Sequence, residues 1–168
     1  MSRLFESDRL FFRYLQQEDA PSFFELNNNP NVLRYTGDDA FSNIEKATSF
    51  LTHYQYNKGM GRYAVIRKSD NTFIGWCGPK LNSNNLIDLG FRFFEQEWNK
   101  GYATEAAMAT IEYCFNTLEI NSLIARANSE NIGSIRVIEK CNFIYTKTEP
   151  DGELGDTLYY TLSNSNIY

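Results

Sequence analysis

The segment Glu97-Trp98-Asn99-Lys100-Gly101-Tyr102-Ala103-Thr104-Glu105-Ala106 carries residue types and spacing that suggest a defined chemistry. It joins an extended run to the start of the longest helical pattern in the chain. A helix N-terminus presents unpaired N–H groups and about half a positive charge, so a strand-loop-helix turn centred on glycine suits a phosphate. Gly101 lets the backbone approach an anion, Ala103 keeps the next turn thin, and Lys100 adds a cation. An ordinary strand-to-helix turn containing a glycine accounts for the same residues. The spacing matches neither a P-loop nor the GxGxxG of a dinucleotide fold, which argues against ATP and NAD.

Other reactive side chains have structural readings. Glu105 falls in the first turn of the long helix, where a carboxylate favours the dipole. Cys114 and Cys141 fall on apolar helical faces and read as core, and His53 as a surface histidine. The three cysteines have no CxxC spacing, which disfavours a disulfide framework and a zinc site, and no Ser-His-Asp or Cys-His arrangement asks for a covalent intermediate. Two loops bear acids, Asp38 and Asp39 in one and Glu149, Asp151 and Glu153 in the other, and such a rim would attract a cation if it were not simply solvated.

The elements that must position these residues follow from periodicity. Arg9 to Leu15 reads as a first strand, with Asp19 as N-cap of a short helix over Pro21 to Leu26 that ends at Asn27-Asn28-Asn29-Pro30. Ser42 or Asn43 caps a second helix carrying Ile44, Ala47, Phe50, Leu51 and Tyr54, which Gly59 and Gly61 stop. Arg62 to Lys68, Thr72 to Leu81 and Leu86 to Phe94 form an antiparallel meander joined by polar turns. Apolar residues about four apart predict a helix over Gly101 to Leu118 that Asn121 ends. A strand at Leu123 to Ala127, a helix at Ile132 to Cys141, and strands at Phe143 to Thr148 and Thr157 to Leu162 follow. The result is an α+β fold around one central sheet, in a single domain over residues 1–168.

Composition narrows the function classes. The chain has 168 residues, 42% of them apolar, enough for one full-sized core. With 16 basic and 21 acidic residues the net charge is −5, the wrong sign for a chain whose main task is binding nucleic acid or an anionic membrane. Acids near the start and the lack of any run approaching roughly 18 apolar residues predict a cytoplasmic protein. The 13 Phe, 11 Tyr and 2 Trp leave room for a homodimer interface.

Four motifs together resemble the GNAT superfamily of acyl-CoA-dependent N-acetyltransferases, in particular the ribosomal-protein alanine N-acetyltransferase-like branch. They are Leu89-Gly90-Phe91, Trp98 to Ala106, Asn131-Ile132-Gly133-Ser134 and Lys140-Cys141-Asn142-Phe143. Asn99 and Asn142 each replace a glycine of that pattern, and asparagine is the residue that best tolerates a left-handed backbone after glycine.

The resemblance implies a mixed, mostly antiparallel sheet splayed at the coenzyme site, with flanking helices and no metal. It implies acetyl-CoA as co-substrate, its pyrophosphate on the amides of Trp98, Asn99, Lys100, Gly101, Tyr102, Ala103 and Thr104. The pantetheine would pair like a strand with Phe91, Arg92 and Phe93 and contact Asn131, which also suits a helix N-cap.

The amine acceptor implied is a protein N-terminus, a peptide or a small cationic amine. Transfer to an amine requires a proton acceptor and benefits from a donor to the departing thiolate. Asp88, on the strand expected to splay, is the candidate base, directly or through water, and is otherwise an exposed polar strand residue. A tyrosine that often serves as acid is replaced here by Ile138, so Ser134, one turn earlier, is the candidate acid; its hydroxyl could instead bond locally to backbone. An acyl-CoA-binding or sensing module without turnover, and an interaction scaffold without coenzyme, are the competing readings.

Overall fold

The structure, a computed structural model, describes residues 2–166. Eight strands form one sheet: β1 (Phe5–Glu6), β2 (Leu10–Tyr14), β3 (Tyr63–Arg67), β4 (Thr72–Leu81), β5 (Ile87–Phe93), β6 (Ser122–Asn128), β7 (Ile144–Pro150) and β8 (Asp156–Ser163). Their spatial order is β1-β2-β3-β4-β5-β6-β8-β7. Every neighbouring pair is antiparallel except β5 and β6, which run parallel and meet in register at Asp88 and Ile124 alone. A parallel pair needs a crossover, and the helix α4 (Tyr102–Asn116) supplies it.

Alternation along the strands sorts side chains onto two faces. Tyr63, Val65, Cys77, Leu89 and Phe93 pack under α4 and α5 (Ile132–Lys140) as the main core. α4 approaches closely because its buried stripe includes Ala106 and Ala107 with Thr110, Ile111, Cys114 and Phe115. On the other face Phe11, Leu15, Ala64 and Ile66 pack against α1 (Ala20–Leu26) and α3 (Ile44–His53), with Trp76 half-buried beside them.

Several local expectations are corrected. Asp19 makes no side-chain cap to α1; its carboxylate instead holds Arg13 at 2.6 and 2.7 Å and accepts from the Gln16 amide at 2.8 Å. The chain does not simply turn at Asn27 to Pro30, because Asn29 caps a further helix, α2 (Pro30–Leu33), by accepting from the Asn31 and Val32 amides. α3 stops at His53 and α4 at Asn116, ahead of the residues expected to end them, with Glu119 (φ 54°) making the left-handed turn after α4. Asn43, rather than Ser42, caps α3. The two-residue β1 had no readable alternation.

Candidate active site at the opening between two parallel strands

Past the single register pair, β5 and β6 diverge. On the side facing β4, β5 is paired throughout, from Leu81 with Ile87 to Gly75 with Phe93. On the side facing β6, the backbone from Leu89 to Phe93 has no strand partner, an open edge able to pair with an extended chain. A cleft of about 790 Å³ occupies the opening. It brings together Asp88, Phe91, Arg92, Phe93, Trp98, Asn99, Ala103, Asn131 and Ser134 of the residues singled out in the sequence. Lys100, Gly101, Tyr102 and Thr104 are in the adjoining turn but do not line it.

That turn is built from left-handed backbone. Asn99 (φ 59°) and Gly101 (φ 80°) bend the chain twice within three residues, and Asn142, the other asparagine standing for a glycine, has φ 63°. The first intrahelical bond of α4 runs from Glu105 N to Gly101 O at 3.0 Å, so the amides of Tyr102, Ala103 and Thr104 precede it and face outward unpaired by the helix. Those amides, with the dipole of a 15-residue helix behind them, fit an anionic phosphate.

The turn is braced from below. Buried Glu97 accepts from Arg67 at 2.8 Å and Lys100 at 3.1 Å, so the Lys100 ammonium is anchored beside the turn. The Trp98 indole donates to Phe93 O at 3.0 Å and ties the turn to the end of β5. Glu105 accepts from Ser7 Oγ at 2.7 Å, Arg9 N at 2.8 Å and Arg9 Nε at 2.6 Å, and Arg9 also donates to Lys100 O at 3.0 Å. Its role extends beyond the helix dipole: it clamps the β1–β2 loop onto α4. Burial works against its charge, but the bonds from Ser7 and Arg9 prevail and hold the carboxyl below its ordinary range.

Asn131 and Ser134 enter the cleft from the start of α5. Asn131 Oδ1 accepts from Ser134 N at 3.2 Å, so the amide caps the helix and keeps its NH₂ for the cleft. The Ser134 hydroxyl makes no hydrogen bond among the described residues. Ile138, which stands in place of the tyrosine that often serves as acid, is 3% exposed and belongs to the core.

Asp88 lies on the opposite face of the opening, the face of Trp76, Arg62 and Arg92. It is 8% exposed. Its carboxylate meets Arg62 at 3.0 Å and Arg126 at 3.6 Å. Neither arginine was singled out in the sequence, since nothing local marks residues 62 and 126 as neighbours of 88. Arg62 is itself fixed: its amide donates to Tyr54 Oη at 2.8 Å, and its carbonyl accepts from Tyr56 Oη at 2.7 Å. Its guanidinium lies across β4 and β5, donating to Gly78 O and to Asp88 O, in space that a Cβ at Gly90 would enter at 2.6 Å. A Gly-aromatic pair in β5 is the sequence signal that marks this slot.

The loop acids are largely engaged. Asp38 pairs with Arg92 at 2.6 Å and Glu149 with Lys147 at 2.6 Å, while Asp151 accepts from Thr157 at 3.3 Å. The two loops meet near Gly37, where a Cβ would lie 2.9 Å from Leu154.

All three cysteines are buried, and burial pushes the Cys77 and Cys141 thiols up to about 12 and Cys114 upward too, so none offers a thiolate at neutral pH. His53 is exposed, with Nδ1 2.8 Å from Ser49 O. Among the described residues no cluster of three potential metal ligands occurs.

Comparison with known proteins agrees with this geometry. Residues 9–144 match the acetyltransferase (GNAT) domain family. The uncharacterized N-acetyltransferase YnaD of Bacillus subtilis is 31% identical over 162 residues, covering 92% of this chain and 93% of that protein. A GNAT-family acetyltransferase from Bacillus anthracis superposes with a TM-score of 0.84 at 28% identity, over 96% of this chain and 98% of that one. Spermidine N-acetyltransferase from Vibrio cholerae, solved with CoA and spermine, shares the fold with a TM-score of 0.83 at 17% identity, over 95% and 98% of the two chains. With its sheet opening between β5 and β6, its amide turn at Gly101 and a family match spanning most of its length, the chain belongs to the GNAT family of N-acetyltransferases.

Proposed function

We propose that the chain transfers an acetyl group from acetyl-CoA to a primary amine by direct attack of the amine on the thioester. The observation that carries this reading is the cleft through the sheet, with the amide turn and Ser134 on one side of β5 and Asp88 on the other. The pyrophosphate would rest on the amides from Trp98 to Thr104, and the pantetheine along the open β5 edge at Phe91 to Phe93. The CoA bound by the Vibrio cholerae enzyme supports the same assignment of coenzyme.

In this reading the acceptor enters on the Asp88 face. A carboxylate has about four lone-pair sites, so contacts with Arg62 and Arg126 leave acceptor capacity on Asp88 for a proton released by the amine, directly or through water. The new bond joins the amine nitrogen to the acetyl carbon as the carbon–sulfur bond breaks. Ser134, its hydroxyl uncommitted, donates to the departing sulfur and recovers its proton from water.

The test is a thermal shift with acetyl-CoA followed by thiol release with a panel of primary amines. A ligand at one hundred times its Kd adds about 2.7 kcal/mol, a shift of roughly 5–10 °C for a chain of this size. Gly101→Val should remove the shift, because its Cβ stands at a positive φ and beside the anion. No shift in the parent protein would overturn the coenzyme assignment. A shift without thiol release from any amine would mark a coenzyme-binding module.

A further inference from the structure

The charges beside the opening define the kind of amine that fits. Asp88 is the acid that β5 places there, with Glu95, Glu130 and Asp151 elsewhere in the cleft lining, and three cations approach it. Arg62, just ahead of β3, meets it at 3.0 Å and Arg126, on β6, at 3.6 Å. Lys80 stands opposite it in register on β4, on the same face. Arg62 is committed by its bonds to Asp88 and to the Gly78 carbonyl. Arg126 is less so: its side chain is 44% exposed, its contact with Asp88 exceeds hydrogen-bond length, its other polar neighbour is Tyr159 opposite it on β8, and it lines the cleft. Its guanidinium therefore has donors to spare where an acceptor must enter.

The coenzyme's phosphates do not account for that spare charge. They belong to the turn beyond Phe93, and Asp88 to Phe93 spans five residues of extended strand, roughly 16 Å. The acetyl thioester that would reach the opening is uncharged.

Resting on the acetyl-transfer reading above, we propose that the acceptor is a free α-amino acid, its amine at Asp88 and its carboxylate held by Arg126. Covalent geometry keeps an α-amino nitrogen and its carboxylate oxygens about 3 Å apart. Asp88 and Arg126 present the complementary pair, anion and cation, 3.6 Å apart. A planar guanidinium matches a carboxylate in two parallel bonds, which fixes orientation as well as charge. Beside Asp88 itself, a polyamine would bring only positive charge to a place already holding Arg62 and Arg126. A peptide N-terminus would offer Arg126 a neutral amide in place of the carboxylate.

The experiment measures thiol release from acetyl-CoA with the common α-amino acids, each beside its amide, and with spermidine. At least one amino acid should exceed its own amide in kcat/KM by tenfold or more, and exceed spermidine. Arg126→Gln should cut kcat/KM for that amino acid at least tenfold more than for its amide, chiefly through KM, and Arg126→Lys should restore part of the difference. The acetyl-CoA thermal shift reports that each variant is folded and binds coenzyme. Preference for amides or spermidine, or an equal loss for amino acid and amide in Arg126→Gln, overturns the carboxylate assignment and leaves acetyl transfer standing. Thiol release with none of the amines, despite a thermal shift, overturns acetyl transfer and this inference with it.

Discussion

Arg62 grips Asp88 twice, donating to its carboxylate at 3.0 Å and to its own backbone carbonyl at 3.0 Å, and it does so across the vacant side-chain position of Gly90. One residue without a side chain thus lets a distant arginine fix the acid at the mouth of the opening. Gly90→Ala should push the guanidinium aside, since the clash of 2.6 Å is with the end of a flexible side chain. Misplacing an active-site group by about 1 Å can cost roughly 100-fold, so kcat/KM should fall about 10- to 100-fold with the fold retained. Steady-state kinetics beside a melting curve checks this; unchanged kinetics would show that Asp88 holds its place without Arg62.

Ser134→Ala should lower kcat about 10²- to 10⁴-fold with little change in acetyl-CoA affinity, as expected of a group that acts on charge developing at sulfur. Loss of a local hydroxyl bond alone would cost only about 1 kcal/mol of stability. Rates from stopped assays with titrated coenzyme binding separate the two, and an unaltered kcat would assign the proton to water.

Asp88→Asn keeps the size and the contact with Arg62 but removes the proton acceptor. The rate should drop about 100-fold at neutral pH and recover in part at alkaline pH, where the acceptor amine is already neutral. The full pH profile of the variant is the measurement. Curves superimposable on the parent protein's would move the search for a base to a backbone carbonyl or to loop acids such as Asp38 and Glu149.

Glu105 makes a prediction for stability. Its folded carboxyl sits below the ordinary range because bonds from Ser7 and Arg9 outweigh its burial. A depressed folded pKa contributes stability above the unfolded value, near 4.5, and that contribution fades as pH falls through the folded pKa. Glu105→Gln should therefore lower Tm at pH 7, by roughly 4–8 °C for about 2 kcal/mol of lost charge-assisted bonding. The gap between variant and parent should close in acid, which melting curves from pH 7 down to pH 3 would show. A gap constant over that range would mean that packing, rather than charge, holds the loop.

What the sequence determined by itself was local. Apolar residues about four apart marked α4, polar turns marked the β3-β4-β5 meander, and the run from Trp98 to Ala106 marked a helix start suited to an anion. Asparagine in place of glycine at positions 99 and 142 signalled left-handed backbone, which φ values of 59° and 63° display. Such features depend on neighbours within a turn or two, so the order of residue types encodes them. Tertiary structure decided what depends on register between distant segments. Arg62, immediately before β3, and Arg126, on β6, reach Asp88 because β3, β4, β5 and β6 lie side by side in the sheet. Ser7 and Arg9 reach Glu105 across nearly a hundred residues. The short β1 and α2 likewise escape periodicity, since two and four residues are fewer than any repeat needs, and they owe their form to strand pairing and to the Asn29 cap.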